Sequence, residues 1–211
     1  MKITKLGHCC LIIEENGVKI LTDPGTYTTE QNNVKDVDIV LITHEHQDHF
    51  HLESVKTILA NNPKAKIITN NAVGGLLKEA GINCELLEDG QNGLFNNVKV
   101  EAHGKDHAFI YETVPTVMNT GFFIADRLFY PGDAFHNPGK PVEILALPVA
   151  GPWMKISESL NYAREINPKA AFPVHDGMLK LWGPVHILPS KTLEPMGIKF
   201  FDLKKENSID I

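Results

Sequence analysis

The sequence contains only three cysteines among its 211 residues, and two of them, Cys9 and Cys10, are adjacent. Three thiols placed in this way do not make a disulfide framework, so we expect a protein of the reducing cytoplasm. The first residues also lack the long apolar stretch of a signal peptide or a membrane span. A secreted protein or one with a membrane partner is therefore not expected.

Clusters of Lys and Arg are also absent. The chain has 20 Lys and Arg against 26 Asp and Glu, a formal net charge of -6 and a pI near 5.9. Because nucleic-acid binding depends on clustered cations that neutralise phosphates, a nucleic-acid partner is not expected. No linker, repeat or low-complexity tract divides residues 1–211, which are predicted to form one domain with a substantial core. The sequence leaves open whether that domain forms a homo-oligomer.

Four potential metal ligands lie close together directly after an apolar segment. Ile39–Ile42 has the pattern of a strand covered on both faces, and His44, His46, Asp48 and His49 follow it. Side chains alternate along an extended chain, so His44 and His46 can reach one ion, and a turn would bring Asp48 and His49 to a second. Imidazole and carboxylate suit a borderline divalent ion such as zinc. The alternative is a polar loop that caps the next helix, but capping does not explain three histidines.

The pattern His-x-His-x-Asp-His after a buried strand resembles the metallo-β-lactamase superfamily of metal-dependent hydrolases. That resemblance implies three further ligands, namely a histidine after a strand, an aspartate in a Gly-Asp turn and a late histidine. Residues of these types just past predicted strands are His107, Asp133 and His175. The resemblance assigns the first ion to His44, His46 and His107. It assigns the second to Asp48, His49 and His175, with Asp133 as the bridge.

One of these ligands has an alternative in the sequence. His103 also lies just past the strand predicted to end at Ala102, and it competes with His107 for the same role. The spacing from Val98 to His107 resembles that of the ascorbate-6-phosphate lactonase branch, which favours His107. The opening Leu6–Glu14 resembles the Gly-His-x-x-x-x-Ile start of that branch, and Asp23-Pro24 resembles its Asp-Pro strand end.

The resemblance implies a dinuclear centre with two divalent metal ions, for which Zn²⁺ is expected and Mn²⁺ or Fe²⁺ are alternatives. Two such ions bring more positive charge than Asp48, Asp133 and a bridging hydroxide return, so the centre attracts small anionic substrates. Bound ions lower the pKa of water towards ~7, so metal-bound hydroxide is available at neutral pH. We therefore expect a metallo-hydrolase that cleaves an ester, lactone or phosphoester bond of a small-molecule substrate. Asp48 and Asp133 would be catalytic, and His136 is either a proton donor to the leaving group or an exposed loop histidine.

Other functions remain open at this point. An iron-dependent oxidoreductase of the same fold usually carries a carboxylate where this chain has His46. A phosphodiesterase or nuclease that acts on RNA usually adds an arm or a domain, and none is evident. A non-catalytic scaffold would be expected to have lost some of the ligands.

Three more residues have two interpretations each. His8 either contacts a metal ligand or lies in the core with a backbone partner. Asp23 either orients a ligand histidine or forms the turn before Pro24. Trp153 either walls the pocket or packs in the core.

The predicted elements indicate an α/β protein with two similar halves. The first half has strands predicted near residues 2–6, 9–14, 18–22, 39–42, 65–69 and 84–87. The second has them near 93–102, 119–125, 127–131, 143–149, 170–174 and 198–203. Helices are predicted over Leu52–Ala60, Asn70–Ala80 and Ser157–Ile166. The resemblance implies a four-layer αβ/βα sandwich, with two mixed β-sheets face to face and the helices outside.

Overall fold

Two mixed β-sheets form the centre of the computed structural model, which describes residues 1–204 and 207–211. The first sheet has the strand order β14-β1-β2-β3-β4-β5-β6. Its strands are β1 (Lys2–Gly7), β2 (Cys10–Glu15), β3 (Val18–Thr22), β4 (Ile39–Ile42), β5 (Lys66–Thr69), β6 (Glu85–Leu86) and β14 (Ser208–Asp210).

The second sheet has the strand order β13-β12-β11-β10-β9-β8-β7. Its strands are β7 (Asn92–Phe95), β8 (Val98–His103), β9 (Gly121–Ile124), β10 (Leu128–Tyr130), β11 (Ile144–Pro148), β12 (Ala170–Val174) and β13 (Lys199–Phe200). The α-helices of the described chain are α1 (Leu52–Asn61), α2 (Asn71–Glu79), α3 (Ile156–Ile166) and α4 (Gly183–Leu193). Short 3₁₀ helices cover Glu30–Asn33 and Glu194–Met196. Within the described residues, no helix combines the length and the apolarity that a membrane crossing requires.

The buried side chains show how the four layers stack. Successive residues of β4 point to opposite faces, so Leu41 lies in the cluster shared by both sheets and Val40 lies in the cluster beneath α1 and α2. Ile124 and Phe172 of the second sheet belong to the same central cluster as Leu41. The other face of the second sheet packs with residues of α3 and α4. The predicted sandwich of two face-to-face sheets with outer helices is therefore confirmed.

Several predicted elements differ in detail from the observed ones. The single strand predicted over 93–102 is a hairpin of β7 and β8, because Asn96 and Asn97 both have positive φ and form a two-residue turn. Helix α4 is not predicted by the sequence, since it begins at Gly183-Pro184 and contains Pro189, which are typical helix-breaking residues. Strand β14 also escapes prediction, because it is short and exists by pairing with β1 at the other end of the chain.

Strand direction brings the loops that carry His107, Asp133 and His175 to one edge of the second sheet. Strands β10, β11 and β12 are parallel to one another. Strand β8 runs the same way as β10, because each pairs antiparallel with β9. The carboxyl ends of β8, β10 and β12 therefore meet at the same edge, which is where α/β proteins commonly build their sites.

Candidate metal centre

The predicted ligands converge in two groups where these strand ends meet the loop that follows β4 of the first sheet. His44, His46 and His107 form one group, in which the candidate ligand atoms all lie within 4.8 Å of one another. Asp48, His49 and His175 form the second, together with His8, again within 4.8 Å. Residues separated by more than a hundred positions in the chain thus meet in space, as the predicted ligand set requires.

Asp133 lies between the two groups. Its Oδ2 atom is 3.3 Å from His107 Nε2 in the first group and 2.8 Å from His175 Nε2 in the second. Its Oδ1 atom is 3.2 Å from His49 Nε2. The Trp153 indole N–H donates a hydrogen bond of 2.9 Å to Oδ2, which fixes the orientation of the carboxylate. One carboxylate can therefore contact ions held by either group.

Because of a tight turn after β4, His44 and His46 face the first group, whereas Asp48 and His49 face the second. The backbone N–H groups of His49 and Phe50 both donate to the His46 carbonyl, at 2.9 and 2.8 Å. This helical turn ends the alternation that aligns His44 with His46, so that Asp48 and His49 face the second group.

Gly25 allows a neighbouring loop to pack directly on this turn. A Cβ atom at Gly25 would lie 1.9 Å from the Asp48 carbonyl oxygen and 2.5 Å from the His49 backbone nitrogen. Both neighbours are backbone atoms, so a side chain fits only if the turn moves.

We expect Gly25→Ala to reduce the metal content of the purified protein and to destabilise the fold by ~1–3 kcal/mol, the usual cost of overpacking. The matched control is Gly75→Ala on the exposed face of α2, where a Cβ meets nothing within 4 Å. That control is expected to keep the parent metal content and to gain stability from helix propensity. Metal analysis and urea denaturation of both variants make the comparison, and equal metal content in the two would contradict the role of Gly25.

Hydrogen bonds on the far side of the ring orient His44 and His49. Asp23 Oδ2 accepts from His49 Nδ1 at 2.7 Å and from the Thr43 hydroxyl at 2.8 Å. Since that hydroxyl donates to Asp23, it accepts from His44 Nδ1, which lies 2.9 Å away. Asp23 also accepts from the Thr43 backbone N–H and from the Tyr130 hydroxyl. Asp23 therefore orients ligand histidines and is not only a turn residue.

Hydrogen bonds at Nδ1 also determine which ring nitrogen of three histidines faces the centre. His107 Nδ1 donates to the Ala108 carbonyl at 2.6 Å. With Nδ1 occupied by these hydrogen bonds, Nε2 is the ring nitrogen of His44, His49 and His107 that faces the centre, where it can bind an ion once the ring is neutral. The neutral tautomer with its proton on Nδ1 is the one that binds a metal ion through Nε2.

The buried atoms left without partners test whether an ion fits. Among the described residues, several buried polar atoms lack any partner in hydrogen-bonding geometry. At the centre these are His44 Nε2, His49 Nε2, His107 Nε2, both ring nitrogens of His175 and Asp133 Oδ1. Buried polar atoms without partners are rare and costly, each at about 1–3 kcal/mol. A set of imidazole nitrogens around buried carboxylates fits divalent metal ions.

His8 belongs to the second group in space but has a different role. The Gly177 backbone N–H donates to His8 Nδ1 at 3.1 Å, so the ring proton lies on Nε2. Nε2 in turn donates to Asp48 Oδ2 at 3.1 Å. Burial lowers the pKa of His8 to about 4, so this neutral tautomer persists at neutral pH. His8 therefore orients a carboxylate ligand and has no lone pair left for an ion.

The two carboxylates of the centre remain ionised. Burial alone would raise the pKa of Asp48, but the hydrogen bond from His8 and the neighbouring His49 lower it to about 2. Burial also opposes the charge on Asp133, but His49 and His175 hold its pKa well below the usual range. Both side chains are thus available as anionic oxygen ligands near neutral pH.

A buried ion pair holds the turn that follows His175. Lys5 on β1 donates from Nζ to Asp176 at 2.7 Å and to the Pro173 carbonyl at 2.8 Å. His186 on α4 contacts the same carboxylate at 2.7 Å. Burial lowers the pKa of Lys5, whereas the Asp176 carboxylate acts in the opposite direction. The pair joins β1 of the first sheet, and α4 through His186, to the turn after β12 of the second sheet. In this turn His175 has a φ of 62°.

A cavity of about 510 Å³ opens onto both groups, a volume typical of small-molecule sites. It is lined by side chains of the centre and by aromatic and aliphatic residues. These are Tyr27, His46, Asp48, His107, Ile110, Asp133, Pro152, Trp153, His175 and Met178. Trp153 is thus a wall of the cavity, although only 8% of it is exposed.

His103 and His136 lie together outside this cavity. His103 Nε2 is 3.1 Å from Glu101 Oε2, and its ring is 6.2 Å from that of His136. His136 is half-buried against Gly104. The geometry thus favours His107 over His103 as the ligand. It does not support the proton donation predicted for His136, because that ring packs against β8 and its following residue instead of lining the cavity.

We expect His107→Ala to remove one metal ion per chain, because this residue completes the group of three histidines. His103→Ala should keep the full metal content, since its partner is Glu101. Metal analysis of the two purified variants decides between them, and loss of metal from His103→Ala alone would reverse the assignment.

Comparison with known proteins agrees with this geometry. Residues 2–175 match the model of a beta-lactamase superfamily domain. Protein Rv0786c of Mycobacterium tuberculosis is 34% identical over 184 residues, which cover 85% of each chain. A UPF0173 metal-dependent hydrolase of Alkaliphilus metalliredigens is 27% identical over 192 residues, covering 83% of this chain and 85% of that one.

A solved structure shares the fold. Igni18, a metallo hydrolase from the archaeon Ignicoccus hospitalis, superimposes with a TM-score of 0.77 at 19% identity, over 99% of this chain and 97% of that one. The narrower resemblance to the lactonase branch stays a prediction. With the four-layer fold, the His and Asp groups and the match over most of its length, the chain belongs to the metallo-β-lactamase superfamily and is a metal-dependent hydrolase.

Proposed function

We propose that the protein is a hydrolase with a dinuclear metal centre that cleaves an ester, lactone or phosphoester bond of a small molecule. The observation that carries this proposal is the position of Asp133, whose carboxylate oxygens lie within 3.3 Å of imidazole nitrogens from both groups. A mononuclear site would not require a carboxylate between two separate sets of histidines.

In this proposal His44, His46 and His107 hold one ion, whereas Asp48, His49 and His175 hold the other. Asp133, which lies beside imidazoles of both groups, would help to hold both ions. The mixed imidazole and carboxylate set suits Zn²⁺, and Mn²⁺ and Fe²⁺ tolerate the same ligands.

The bound ions would supply two kinds of chemistry, which are acidification of a water molecule and polarisation of the oxygen under attack. The protein residues would supply position. Asp48 faces the cavity with 18% of its side chain exposed, and His8 fixes its orientation. Trp153 does the same for Asp133 through its N–H. With both carboxylates oriented before substrate arrives, little reorganisation is needed during the reaction.

The test is a screen of the protein after removal of metal by a chelator and after reloading with Zn²⁺ or Mn²⁺. We expect turnover of at least one lactone, carboxylic ester or phosphodiester, and we expect the stripped protein to be inactive. Equal turnover by the stripped and reloaded forms would contradict the proposal.

Two alternatives are separated by simple measurements. An iron-dependent oxidoreductase would consume oxygen during turnover, whereas the proposed hydrolase would not. A nuclease would need cations along its substrate path, and the described residues that line the cavity include no Lys or Arg. We therefore favour a small-molecule substrate.

A further inference from the structure

The cavity walls outside the metal centre are mainly apolar. They consist of Tyr27, Ile110, Pro152, Trp153 and Met178, all aromatic or aliphatic. The only N–H of the Trp153 side chain is already donated to Asp133, so its remaining surface is apolar. Met178 adds a flexible thioether that adapts to varied apolar shapes. These walls can pack against hydrocarbon, and their polar side-chain groups are the Tyr27 hydroxyl and the Trp153 N–H that Asp133 already accepts.

The charged side chains that line the cavity also disfavour an anionic group on the substrate away from the ions. The charged side chains that line it are Asp48 and Asp133, both anionic and both assigned to the ions. An anionic oxygen at the reacting bond would be stabilised by the ions. A second anionic group farther along the substrate would lose water against Ile110, Trp153 and Met178 without gaining a cationic partner, which is costly.

The chain segments that supply Ile110 and Met178 to the cavity also carry exposed apolar side chains. Phe109 and Tyr111, which flank Ile110 in the chain, are 63% and 61% exposed. Met178 is 40% exposed, and Leu181 in the same loop is 79% exposed. Exposed apolar side chains on segments that line a cavity are typical of a surface that binds an apolar ligand.

We infer, on the basis of the proposed function, that the substrate carries an alkyl or aryl group beside the bond that is cleaved. That group packs against Ile110, Trp153 and Met178, and the polar or anionic part of the substrate is confined to the reacting end at the metal ions. The substrate class is therefore an apolar ester, lactone or phosphoester, and not a molecule with anionic groups at both ends.

Hydroxamates test this inference, because they bind metal ions through a constant head group while the tail is varied. The probes are acetohydroxamate, hexanohydroxamate and the monohydroxamate of succinic acid, whose tail ends in a carboxylate. Their affinities for the zinc-loaded protein are measured by calorimetry. Since a buried methylene contributes ~0.8 kcal/mol at full burial, we expect hexanohydroxamate to bind at least about tenfold more tightly than acetohydroxamate. The succinate derivative should bind more weakly than hexanohydroxamate by a similar factor.

Variants locate the effect in the cavity. Ile110→Ser and Met178→Ser should each reduce the affinity ratio between hexanohydroxamate and acetohydroxamate by about threefold, because they remove apolar wall area. The control is Leu94→Ser, which changes a leucine that is 70% exposed on β7 and does not line the cavity. It should leave the ratio unchanged.

The outcomes distinguish a failure of the apolar subsite from a failure of the metal centre. Equal affinity for short and long tails, or tighter binding of the carboxylate-tailed probe, would overturn the apolar subsite and leave the metal centre intact. Failure of every hydroxamate to bind the zinc-loaded protein would count against the metal centre, and the inference would fall with it.

Discussion

Replacing Asp133 with asparagine is expected to lower kcat/KM by more than the ~10–100-fold that is typical when a residue only orients a metal ligand. The reason is that the Asp133 carboxylate touches both histidine groups, whereas an amide offers one neutral oxygen. That oxygen can still accept the Trp153 N–H, so we expect the fold to survive. The variant should also retain fewer metal ions than the parent, which metal analysis measures independently of any substrate.

The matched control for this experiment is Asp126→Asn. Asp126 lies in an exposed turn with a φ of 54°, a conformation that asparagine tolerates, and its partners are surface lysines. We expect the control to keep the activity and metal content of the parent. A variant at position 133 that matches this control in both measurements would show that Asp133 is not the bridge.

Replacing Lys5 with methionine is expected to destabilise the fold by ~3–5 kcal/mol, the usual cost of removing one partner from a buried ion pair. Methionine fills a similar volume, but it leaves Asp176 without a cation that lies 2.7 Å away in the parent. Lys5 is 1% exposed, so water cannot replace the lost partner without local opening. The free energy of unfolding from urea denaturation gives the comparison.

Lys2→Met on the same strand is the control for this prediction. Lys2 forms an exposed ion pair with Glu14 at 3.1 Å, and such pairs contribute only ~0–1 kcal/mol. If the two methionine variants lose equal stability, the buried pair does not stabilise the turn after His175. If Lys5→Met also loses metal, the pair additionally positions that ligand.

The side chains that converge at the candidate metal centre could be identified from the sequence because they follow buried strands. Continuous apolar segments such as Ile39–Ile42 locate the strand ends, and the side chains just beyond them must leave the core. His44, Asp133 and His175 all occupy such positions. Patterns of this kind depend on neighbouring residues in the chain, which sequence analysis can evaluate directly.

The supporting contacts could not be predicted, because they join distant parts of the chain. Lys5 meets Asp176 across 171 positions, and Tyr130 meets Asp23 across 107. Its neighbours Thr4 and Leu6 do not mark Lys5 as buried, since lysine side chains usually point to solvent. The tautomer of His8 likewise depends on a backbone N–H at Gly177, which only the folded chain brings close.

The choice of His107 over His103 needs both the sequence and the structure. Sequence spacing favours His107 over His103, but both are histidines near the end of β8, whose last residue is His103. The structure separates them because the chain beyond β8 pairs back through a bridge between Asp106 and Met118, which turns His107 towards Asp133. His103 remains at the strand end beside Glu101.

The most direct test of the account is the number of metal ions that the protein holds. The chain is stripped with a chelator, reloaded with excess Zn²⁺, desalted and analysed by inductively coupled plasma mass spectrometry. Because two groups of ligands share Asp133, we predict two ions per chain in the parent and one after His107→Ala. A parent protein that retains at most one ion per chain would contradict the dinuclear centre.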